Sequence, residues 1–492
     1  MSQSSEASAV IVRPEPSRGL GAFYRNLGIT LLSTHLRAHG VATRLIDLTF
    51  DPMPDRLNPE TRIVLFSLYI DDFAQGIEAA EQIKRNNPGV VTAVGGPHVT
   101  LLGPSVFDLG NAFDLACLGD CLPEAVPLLA SIAAGGSPPS NRVVTALSSA
   151  ARMDSFAPDY SIWPDDRYFS VFPVEMSRGC RQHCPFCTDP VLRKGLAANP
   201  VERTMATIRT LVKEHDRVWI RFVDSSMSSL GEDLERLLDA LTAAELPVQW
   251  TAYAYPHDIT VEMARRMAAA GCVGLFLGIE SLSPGVRVGK HHAKHPGEVT
   301  RAVEALHQYG IFVHGNFIVG LPGETEETLM RTRSTLDELQ LDSVGGGPFF
   351  LTPGSTFHRA PLSAGIEIIE PDWALQQHVN FYDSDREYFR TATLSQREMR
   401  RLATEFRVHV ENCEAACWNL SDYAVLCWIS VGGRVQDLVR LWRTDADLLT
   451  DDQHLVLGVL KEKKLSVPMA SRSRFVELTR TVAASERARE AA

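Results

Sequence analysis

The order of apolar and polar positions divides the chain into two alternating series of strands and helices. Up to about residue 140, short β-branched runs alternate with amphipathic stretches whose apolar residues recur three and four positions apart. This alternation is typical of parallel βαβ units and predicts a doubly wound, Rossmann-like domain over residues 1–140. Such sheets bind ligands at the carboxyl ends of their strands. The predicted elements are strands 10–12, 43–48, 62–68, 90–94 and 114–119 and helices 27–37, 73–85 and 122–134.

A second series follows residues 141–170, which are rich in Gly, Pro, Ser and Asp and are predicted to be a linker. Six strand and helix pairs over residues 171–370 predict a partial (β/α)6 barrel of the TIM type. In such barrels the chemistry lies at the carboxyl ends of the strands. Residues 371–492 are predicted to be mainly α-helical, with Ser395 capping one helix. The barrel strands are predicted at 171–177, 218–224, 248–255, 273–280, 312–319 and 343–352.

Composition narrows the class of protein. The 492 residues are 45% hydrophobic and 22% charged, which suits several globular cores and excludes a disordered chain. A net charge of −12 gives no basic field for nucleic acid or an anionic membrane. No apolar run reaches the roughly 18 residues of a membrane helix, and the N-terminus lacks a signal pattern, so we expect a cytoplasmic protein. Nine cysteines are too few for a disulfide framework, so a cluster of them would indicate metal binding or catalysis.

Such a cluster follows the first barrel strand directly. Cys180, Cys184 and Cys187 have the spacing CxxxCxxC. Three thiolates can hold three corners of a metal cluster and leave one iron open, whereas a structural zinc ion takes four ligands. A non-catalytic zinc-binding module, completed by His183 or a distant cysteine, remains the alternative.

This loop, with Phe186 before the last cysteine, resembles that of the radical S-adenosylmethionine (SAM) enzymes. The resemblance implies that the three cysteines bind a 4Fe-4S cluster, that SAM chelates the open iron, and that one electron cleaves SAM to a 5′-deoxyadenosyl radical. It also implies an electron donor such as flavodoxin or ferredoxin. Segments 222–224, 278–281 and 315–325 resemble further family motifs. The cofactor-binding residues implied in the barrel are Phe186, Asp224, Glu280, Ser281, Ile318 and Gly320.

Structural alternatives remain for parts of these motifs. Asp224 could be only a helix cap, and Glu324 could stand in the first turn of the helix that follows its strand. A charged residue at the mouth of a barrel is more often functional than structural, because an unpaired buried carboxylate is costly. This argument favours a functional Glu280.

The order of an α/β domain, a linker and this barrel resembles the cobalamin-dependent subclass of the family. That resemblance implies cobalamin bound at the first domain, through Gly95, Gly96, Pro97, His98, Thr100 and Gly119. The DxHxxG motif of classical mutases is missing, and Asp120 stands where the family usually has Glu. Cobalamin is therefore expected to bind without a protein ligand, or the domain keeps the fold and binds nothing.

Three residues at the end of the third barrel strand, Tyr253, Tyr255 and His257, are candidates for substrate contact or proton transfer. The basic stretch 290–295 could receive an anionic group or be a solvated loop. Cys413 and Cys417 on one predicted helix, with Cys427 nearby, could form a second metal site or be small core residues. Trp418, Tyr423 and Trp428 could form an apolar lid over the substrate or pack in the core.

These features together predict a cobalamin-dependent radical SAM enzyme that methylates an unactivated carbon of a small molecule. The alternatives are a radical dehydratase, cyclase or oxidoreductase that uses the same cluster without methyl transfer. Arg outnumbers Lys and Ala is abundant, which suggests a GC-rich bacterial genome and specialised metabolism such as antibiotic biosynthesis.

Overall fold

The computed structural model describes most of the chain up to residue 439. The described ranges are 7–14, 24–70, 72–146, 153, 156–164, 168, 170–215, 218–283, 285–288, 291–292, 295–370, 386–413, 416–430, 432–435 and 437–439. Its contacts separate two compact units. The first contains Met1–Arg167 and Pro190–Gly195, and the second contains Tyr168–Asp189 and most of the chain from Leu196 onward.

The first unit is a six-stranded parallel sheet in the order β2-β1-β3-β4-β5-β6. Apolar β-branched strands form its centre, and the apolar stripe of α2 packs on them. Because the strand order reverses beside β1, the carboxyl edge there is a place where doubly wound sheets bind ligands. The strands are β1 Ala9–Arg13, β2 Thr43–Asp47, β3 Ile63–Ser67, β4 Val91–Gly95, β5 Leu115–Leu118 and β6 Val143–Thr145. The helices are α1 Leu27–Ala38, α2 Phe73–Asn86, α3 Pro97–Leu102 and α4 Leu122–Ala133.

Part of the stretch predicted as a linker belongs to this sheet. Its residues 143–145 form β6 and pair with β5. A strand of three residues is too short to show a hydrophobic period, so the sequence pattern could not reveal it. Further along the same stretch, the Trp163 indole donates to the Thr30 hydroxyl at 2.9 Å and fixes the segment on α1.

The second unit is built on a seven-stranded parallel sheet in the order β19-β16-β15-β12-β11-β10-β7. Its strands are β7 Val171–Val174, β10 Val218–Phe222, β11 Val248–Ala254, β12 Cys272–Glu280, β15 Phe312–Val319, β16 Ser343–Pro348 and β19 Cys417–Trp418. The other strands form two-stranded pairs: β8 Ser177–Gly179 with β9 Leu196–Ala198, β13 Arg287–Val288 with β14 His291–His292, and β17 Ile366–Ile368 with β18 Phe389–Thr391. Helix α5, Asp189–Leu192, lies mostly in the segment Pro190–Gly195 of the first unit. The helices of the second unit are α6 Val201–His215, α7 Glu232–Ala244, α8 Val261–Ala269, α9 Pro296–His307, α10 Glu326–Thr335, α11 Thr356–Arg359, α12 Gln396–Asn412 and α13 Asp422–Ser430. The predicted fold class, a doubly wound domain and a partial barrel of six strand and helix pairs, is confirmed.

The two faces of this sheet carry different side chains. We call the face that carries Arg221, Tyr253 and Phe276 the inner face. On the opposite face the Trp250 indole donates to the carbonyl of Ala270 at the end of α8. Helix α13 packs against β10, β11 and β12 on the inner face, while α12 begins with the predicted Ser395 cap. The last strand, β19, comes from the region predicted to be mainly helical and adds a seventh strand.

No helix in the described ranges is long and apolar enough to cross a membrane.

The turn after β4 yields a prediction about the stability of the first unit. Gly96 has φ 102°, and a Cβ there would lie 2.6 Å from backbone atoms of Leu68. We expect Gly96→Ala to lower the free energy of unfolding by about 2 kcal/mol or more, because both the backbone strain and the clash are unavoidable. Gly89→Ala is the matched control, since nothing lies within 4 Å of a Cβ at that position. Thermal unfolding of both variants measures the difference, and equal melting temperatures would contradict this packing.

Candidate active site

The cysteine loop begins from a rigid base. At the end of β10, Asp224 is fully buried and accepts hydrogen bonds from the Met176 amide at 3.1 Å and the Ser177 hydroxyl at 2.5 Å. Arg178 is also buried and donates through Nε to Glu175 at 2.9 Å. The residues just before the loop are therefore fixed to the sheet, which limits how far the first thiol can move.

The loop itself carries three half-buried thiols, those of Cys180, Cys184 and Cys187. The Gln182 amide lies 3.5 Å from the Cys180 sulfur, and the Asp189 amide lies 3.4 Å from the Cys187 sulfur. His183 has φ 51°, a left-handed conformation that turns the chain between the first two cysteines. Amide donors aimed at sulfur stabilise a thiolate, so the geometry suits metal ligation. Phe186, the aromatic residue of the motif, is half-buried in the same loop.

Carboxylates surround these thiols. Burial raises the pKa of Cys180, and nearby Asp189 and Asp258 raise it further. Burial likewise raises the pKa of Cys187 to about 11, with Asp189 and Glu280 acting in the same direction. Because thiolates are the metal-binding form, positive charge from bound iron is what this environment requires. Glu280 lies near this loop at a bulge of β12 and has φ 66°.

Ser281, predicted to bind cofactor, is tied to a buried carboxylate from the next strand. The Ser281 hydroxyl donates to Glu324, and so does the Ser283 hydroxyl at 3.0 Å. The other oxygen of Glu324 accepts from the amides of Gly320 at 2.8 Å and Leu321 at 3.0 Å. The alternative that Glu324 stands in a helical turn is wrong, because Thr325 caps α10 and the helix begins at Glu326. Glu324 instead joins the two segments after β12 and β15.

The two remaining residues predicted to bind SAM, Ile318 and Gly320, lie at the end of β15 and differ in burial. Ile318 is half-buried near the end of the strand. Gly320 has φ 94° and is covered, since a Cβ there would lie 2.5 Å from the Met399 side chain of α12. The need for glycine at position 320 is therefore explained by packing as well as by the turn.

The three residues proposed for substrate contact occupy different environments. Tyr253 is half-buried on the inner face, and burial raises its pKa to about 12. Tyr255 is buried, and its pKa is raised by burial and, in the same direction, by Cys184, Asp258 and Glu280. His257 is exposed in the turn that follows β11. Both tyrosine hydroxyls therefore remain protonated at neutral pH.

In the first unit, four of the six residues predicted to bind cobalamin are partly exposed, and the other two, Thr100 and His98, are buried. Gly95, Gly96, Pro97 and Gly119 are half-exposed at the carboxyl edge of the sheet. The Thr100 hydroxyl is buried, accepts from the Gly119 amide at 3.0 Å and donates to the Gly96 carbonyl at 2.8 Å.

His98 is also buried, with its ring centroid 4.6 Å from that of Phe73. Burial lowers the pKa of His98 to about 4. These contacts make His98 part of the packing between α3 and α2.

The structure places some of the remaining candidate residues in other elements than the sequence predicted. The prediction that Cys413 and Cys417 lie on one helix is wrong, because α12 ends at Asn412 and Cys417 stands in β19. Cys427 is buried in α13. Trp428 is buried and donates to the Arg434 carbonyl at 2.9 Å, as expected of a core residue.

Trp418 is half-buried, with its ring 6.3 Å from that of Phe406. Tyr423 lies near Arg221 on the inner face. Of the basic stretch 290–295, only the backbone of 291–292 and residue 295 are among the described residues.

Sequence reasoning missed Arg221 and Asp422. Arg221 on β10 donates through Nε to Asp422 at the start of α13. The only sequence signal was a charged residue inside an apolar strand, at 218–222.

Residues 174–336 match the family model of the Radical SAM superfamily. Residues 174–336 therefore form a radical SAM domain, and such a domain implies a 4Fe-4S cluster and SAM as cofactors. The donor set of the loop fits this cluster, because three thiols can bind three different irons and leave the fourth open. Within the described ranges, no three His, Cys, Asp or Glu side chains stand close enough to share a single metal ion.

Three more particular relatives are similar to this chain, and two of them have methyl or methylthio transfer in their names. The ribosomal protein uS12 methylthiotransferase RimO of Xanthomonas campestris pv. campestris is 27% identical over 321 residues, which are 59% of this chain and 68% of RimO. The radical SAM methyltransferase TsrM from Kitasatospora setae, solved with cobalamin and a 4Fe-4S cluster, has a TM-score of 0.63 at 14% identity, covering 97% of this chain and 99% of TsrM. The cobalamin-dependent radical enzyme OxsB, solved with aqua-cobalamin and SAM, has a TM-score of 0.54 at 14% identity, covering 97% and 76%. These two structures share the fold of this chain.

The buried base of the loop gives a pH prediction. Burial raises the pKa of Asp224 to about 7, so the folded chain keeps a proton that the unfolded chain releases near pH 4. Stability from this group is present below pH 4 and is lost as the pH rises to about 7, by on the order of 4 kcal/mol.

Asp224→Asn removes this titration. We expect the melting temperature of the wild type to fall relative to that of Asp224→Asn between pH 4 and 7, and the two curves to run parallel above pH 8. A constant difference from pH 4 to 8 would contradict the raised pKa.

Proposed function

We propose that the protein is a cobalamin-dependent radical SAM enzyme that transfers a methyl group to a carbon of a small molecule. The observation that carries this proposal is the similarity to TsrM over 97% of this chain and 99% of TsrM, a methyltransferase with cobalamin and a 4Fe-4S cluster bound. OxsB, which is similar over 97% of this chain, is a second cobalamin-dependent radical enzyme with the same fold. A small molecule is the substrate class we favour because TsrM was solved with tryptophan as substrate.

In the second unit, Cys180, Cys184 and Cys187 would hold the cluster. When bound, the cluster and SAM supply a carbon-centred radical that can take hydrogen from an unactivated position. The chain positions these groups: Asp224 fixes the base of the loop, and Tyr255, which is near enough to Cys184 for that thiol to raise its pKa, would act as a protonated donor. The segments that Glu324 joins would hold SAM through their backbone and through Glu280.

In the first unit, the half-exposed backbone of Gly95, Gly96, Pro97 and Gly119 would receive cobalamin at the carboxyl edge of the sheet. Such backbone fits a large ligand because it has few side chains to obstruct it. His98 is buried against Phe73 and would therefore serve as a packing residue and not bind the cofactor. We accordingly propose that cobalamin binds without a histidine from this segment.

The proposed reaction consumes two SAM molecules and two electrons for each methyl group transferred. One SAM gives up its methyl group and leaves as S-adenosylhomocysteine, and the other ends as methionine and 5′-deoxyadenosine carrying the substrate hydrogen. The electrons would come from a donor of the flavodoxin or ferredoxin class. The reducing cytoplasm suits a cluster held by thiolates, and specialised biosynthesis is the setting we propose.

Metal and cofactor analysis of anaerobically purified protein tests the proposal. Expression with cobalamin should give about four irons and one cobalt per chain. The Cys184→Ala variant is the matched control and should lose iron while it keeps cobalt, since the two cofactors would occupy different units. Iron without cobalt would overturn the cobalamin assignment. Production of 5′-deoxyadenosine without S-adenosylhomocysteine would favour a radical dehydratase, cyclase or oxidoreductase.

The identity to RimO supports a second candidate, methylthio transfer to a protein. RimO acts on ribosomal protein uS12, so the substrate of this chain would then be a macromolecule. Incubation of the reconstituted enzyme with uS12, SAM and reductant distinguishes the two. A methylthio group on uS12 would establish the second candidate, and unmodified uS12 together with bound cobalt would favour the first.

A further inference from the structure

A polar cluster lies on the inner face of the second unit, within the barrel sheet. We call it the inner-face cluster; it consists of Arg221, Tyr253, Asp422 and Tyr423. Arg221 donates through Nε to Asp422, and its guanidinium carbon lies 5.7 Å from the ring centroid of Tyr253 and 4.9 Å from that of Tyr423. The cluster thus joins two neighbouring strands to the first turn of α13.

The guanidinium of Arg221 has five N–H donors, more than its hydrogen bonds to Asp422 and Tyr253 use. Both oxygens of Asp422 are used, one by Arg221 and the other by the Tyr423 amide at 2.9 Å. The Asp422 side chain is 6% exposed, whereas that of Arg221 is 22% exposed. The Tyr253 hydroxyl is protonated at neutral pH, because burial raises its pKa to about 12. The partly exposed guanidinium therefore has N–H groups left to donate, and the Tyr253 hydroxyl, which accepts from Arg221, keeps its own proton to donate to an acceptor.

The position of the cluster along β11 relates it to the cysteine loop. Tyr253 stands two residues before Tyr255, which is near enough to Cys184 and Glu280 for both to raise its pKa. Two residues of strand span about 7 Å. A small molecule held at Tyr253 would thus extend toward the loop where the radical chemistry is proposed.

The charge of the cluster selects the kind of acceptor. Arg221 is its cation among the described residues, and the carboxylate of Asp422 formally balances that single positive charge. A singly charged planar carboxylate matches a guanidinium flanked by aromatic rings, whereas a phosphate dianion calls for more positive charge. We propose that Arg221 and Tyr253 bind the carboxylate of the substrate, so that the substrate of the proposed methyl transfer is a small carboxylic acid. This inference rests on the proposed function.

Ligand-observed NMR with benzoate and its neutral isostere benzamide tests this site in the holoenzyme. We expect benzoate to bind at least tenfold more tightly than benzamide. Arg221→Gln should weaken benzoate binding at least tenfold. Tyr253→Phe, which removes only a hydroxyl, should weaken it by a smaller factor. The control Arg265→Gln breaks an exposed Arg–Glu pair outside the cluster and should leave benzoate binding unchanged.

The metal content of the same samples separates this inference from the proposed function. The iron and cobalt contents should be equal in the wild type and the variants, because the inner-face cluster includes no residue of the cysteine loop or of the first unit. Benzoate that fails to bind the wild type, or that binds Arg221→Gln as well as the wild type, would overturn the carboxylate site even where both metals are present. Loss of cobalt from the wild type would overturn the proposed function and leave the benzoate result interpretable by itself.

Discussion

Cys184→Ala is expected to abolish iron binding and the cleavage of SAM. The wild type should carry about four irons per chain and a brown colour, and the variant should be nearly colourless. The reason is geometric: the loop offers three half-buried thiols and amide donors at two of them, and two thiols cannot hold a cluster that needs three. Iron analysis, visible absorption and the yield of 5′-deoxyadenosine from SAM and reductant measure the effect. We expect that yield to fall to background.

Cys413→Ala is the matched control for this experiment. Cys413 is also half-buried, but it caps α12 and donates to Asp337 at 2.7 Å, outside the loop. Iron content and SAM cleavage should be unchanged in this variant. A wild type with one zinc and no iron, or a Cys184→Ala variant with full iron, would contradict the cluster and return the zinc-binding module to consideration.

The fold could be predicted because its signal is local. Strands β10, β11 and β15 are apolar runs between amphipathic stretches such as α6, and their periods of 2 and 3.6 residues are legible without knowledge of distant contacts. The short strands β6 and β19 gave no such signal, since two or three residues cannot display a period.

The site was predictable only where its chemistry is contiguous. Cys180, Cys184 and Cys187 are neighbours in sequence, so their spacing alone indicated a cluster. Arg221 and Asp422 are 201 residues apart and meet only because α13 packs on the inner face. Nothing local in either segment encodes this pairing.

The glycine-rich turns show a different limit of sequence reasoning. The interpretation that glycine permits a ligand to approach the backbone is a prediction still to be tested at Gly96. The fold offers a second reason, because the backbone of Leu68 already occupies the space beside it. A glycine pattern cannot by itself distinguish a close ligand from a close strand.

Glu324 has a structural role that the sequence did not predict. Its carboxylate is buried and accepts four hydrogen bonds, two from the hydroxyls of Ser281 and Ser283 and two from the amides of Gly320 and Leu321. Burial raises the pKa of Glu324, and the four donors oppose this by stabilising the charged form. These donors belong to the two segments expected to bind SAM, so the carboxylate positions both halves of that site.

Glu324→Ala should therefore weaken SAM binding at least tenfold while the iron content stays near that of the wild type. Leaving the donors unpaired should also lower the free energy of unfolding by about 3 kcal/mol. Glu324→Gln should lie between the two, because an amide can accept from Gly320 and Leu321 while the serine hydroxyls turn to accept from it. Glu327→Ala, at an exposed position of α10, is the control and should match the wild type. Anaerobic calorimetry of SAM binding decides the matter: a folded Glu324→Ala variant with full iron and wild-type affinity would show that the two segments hold SAM without this carboxylate.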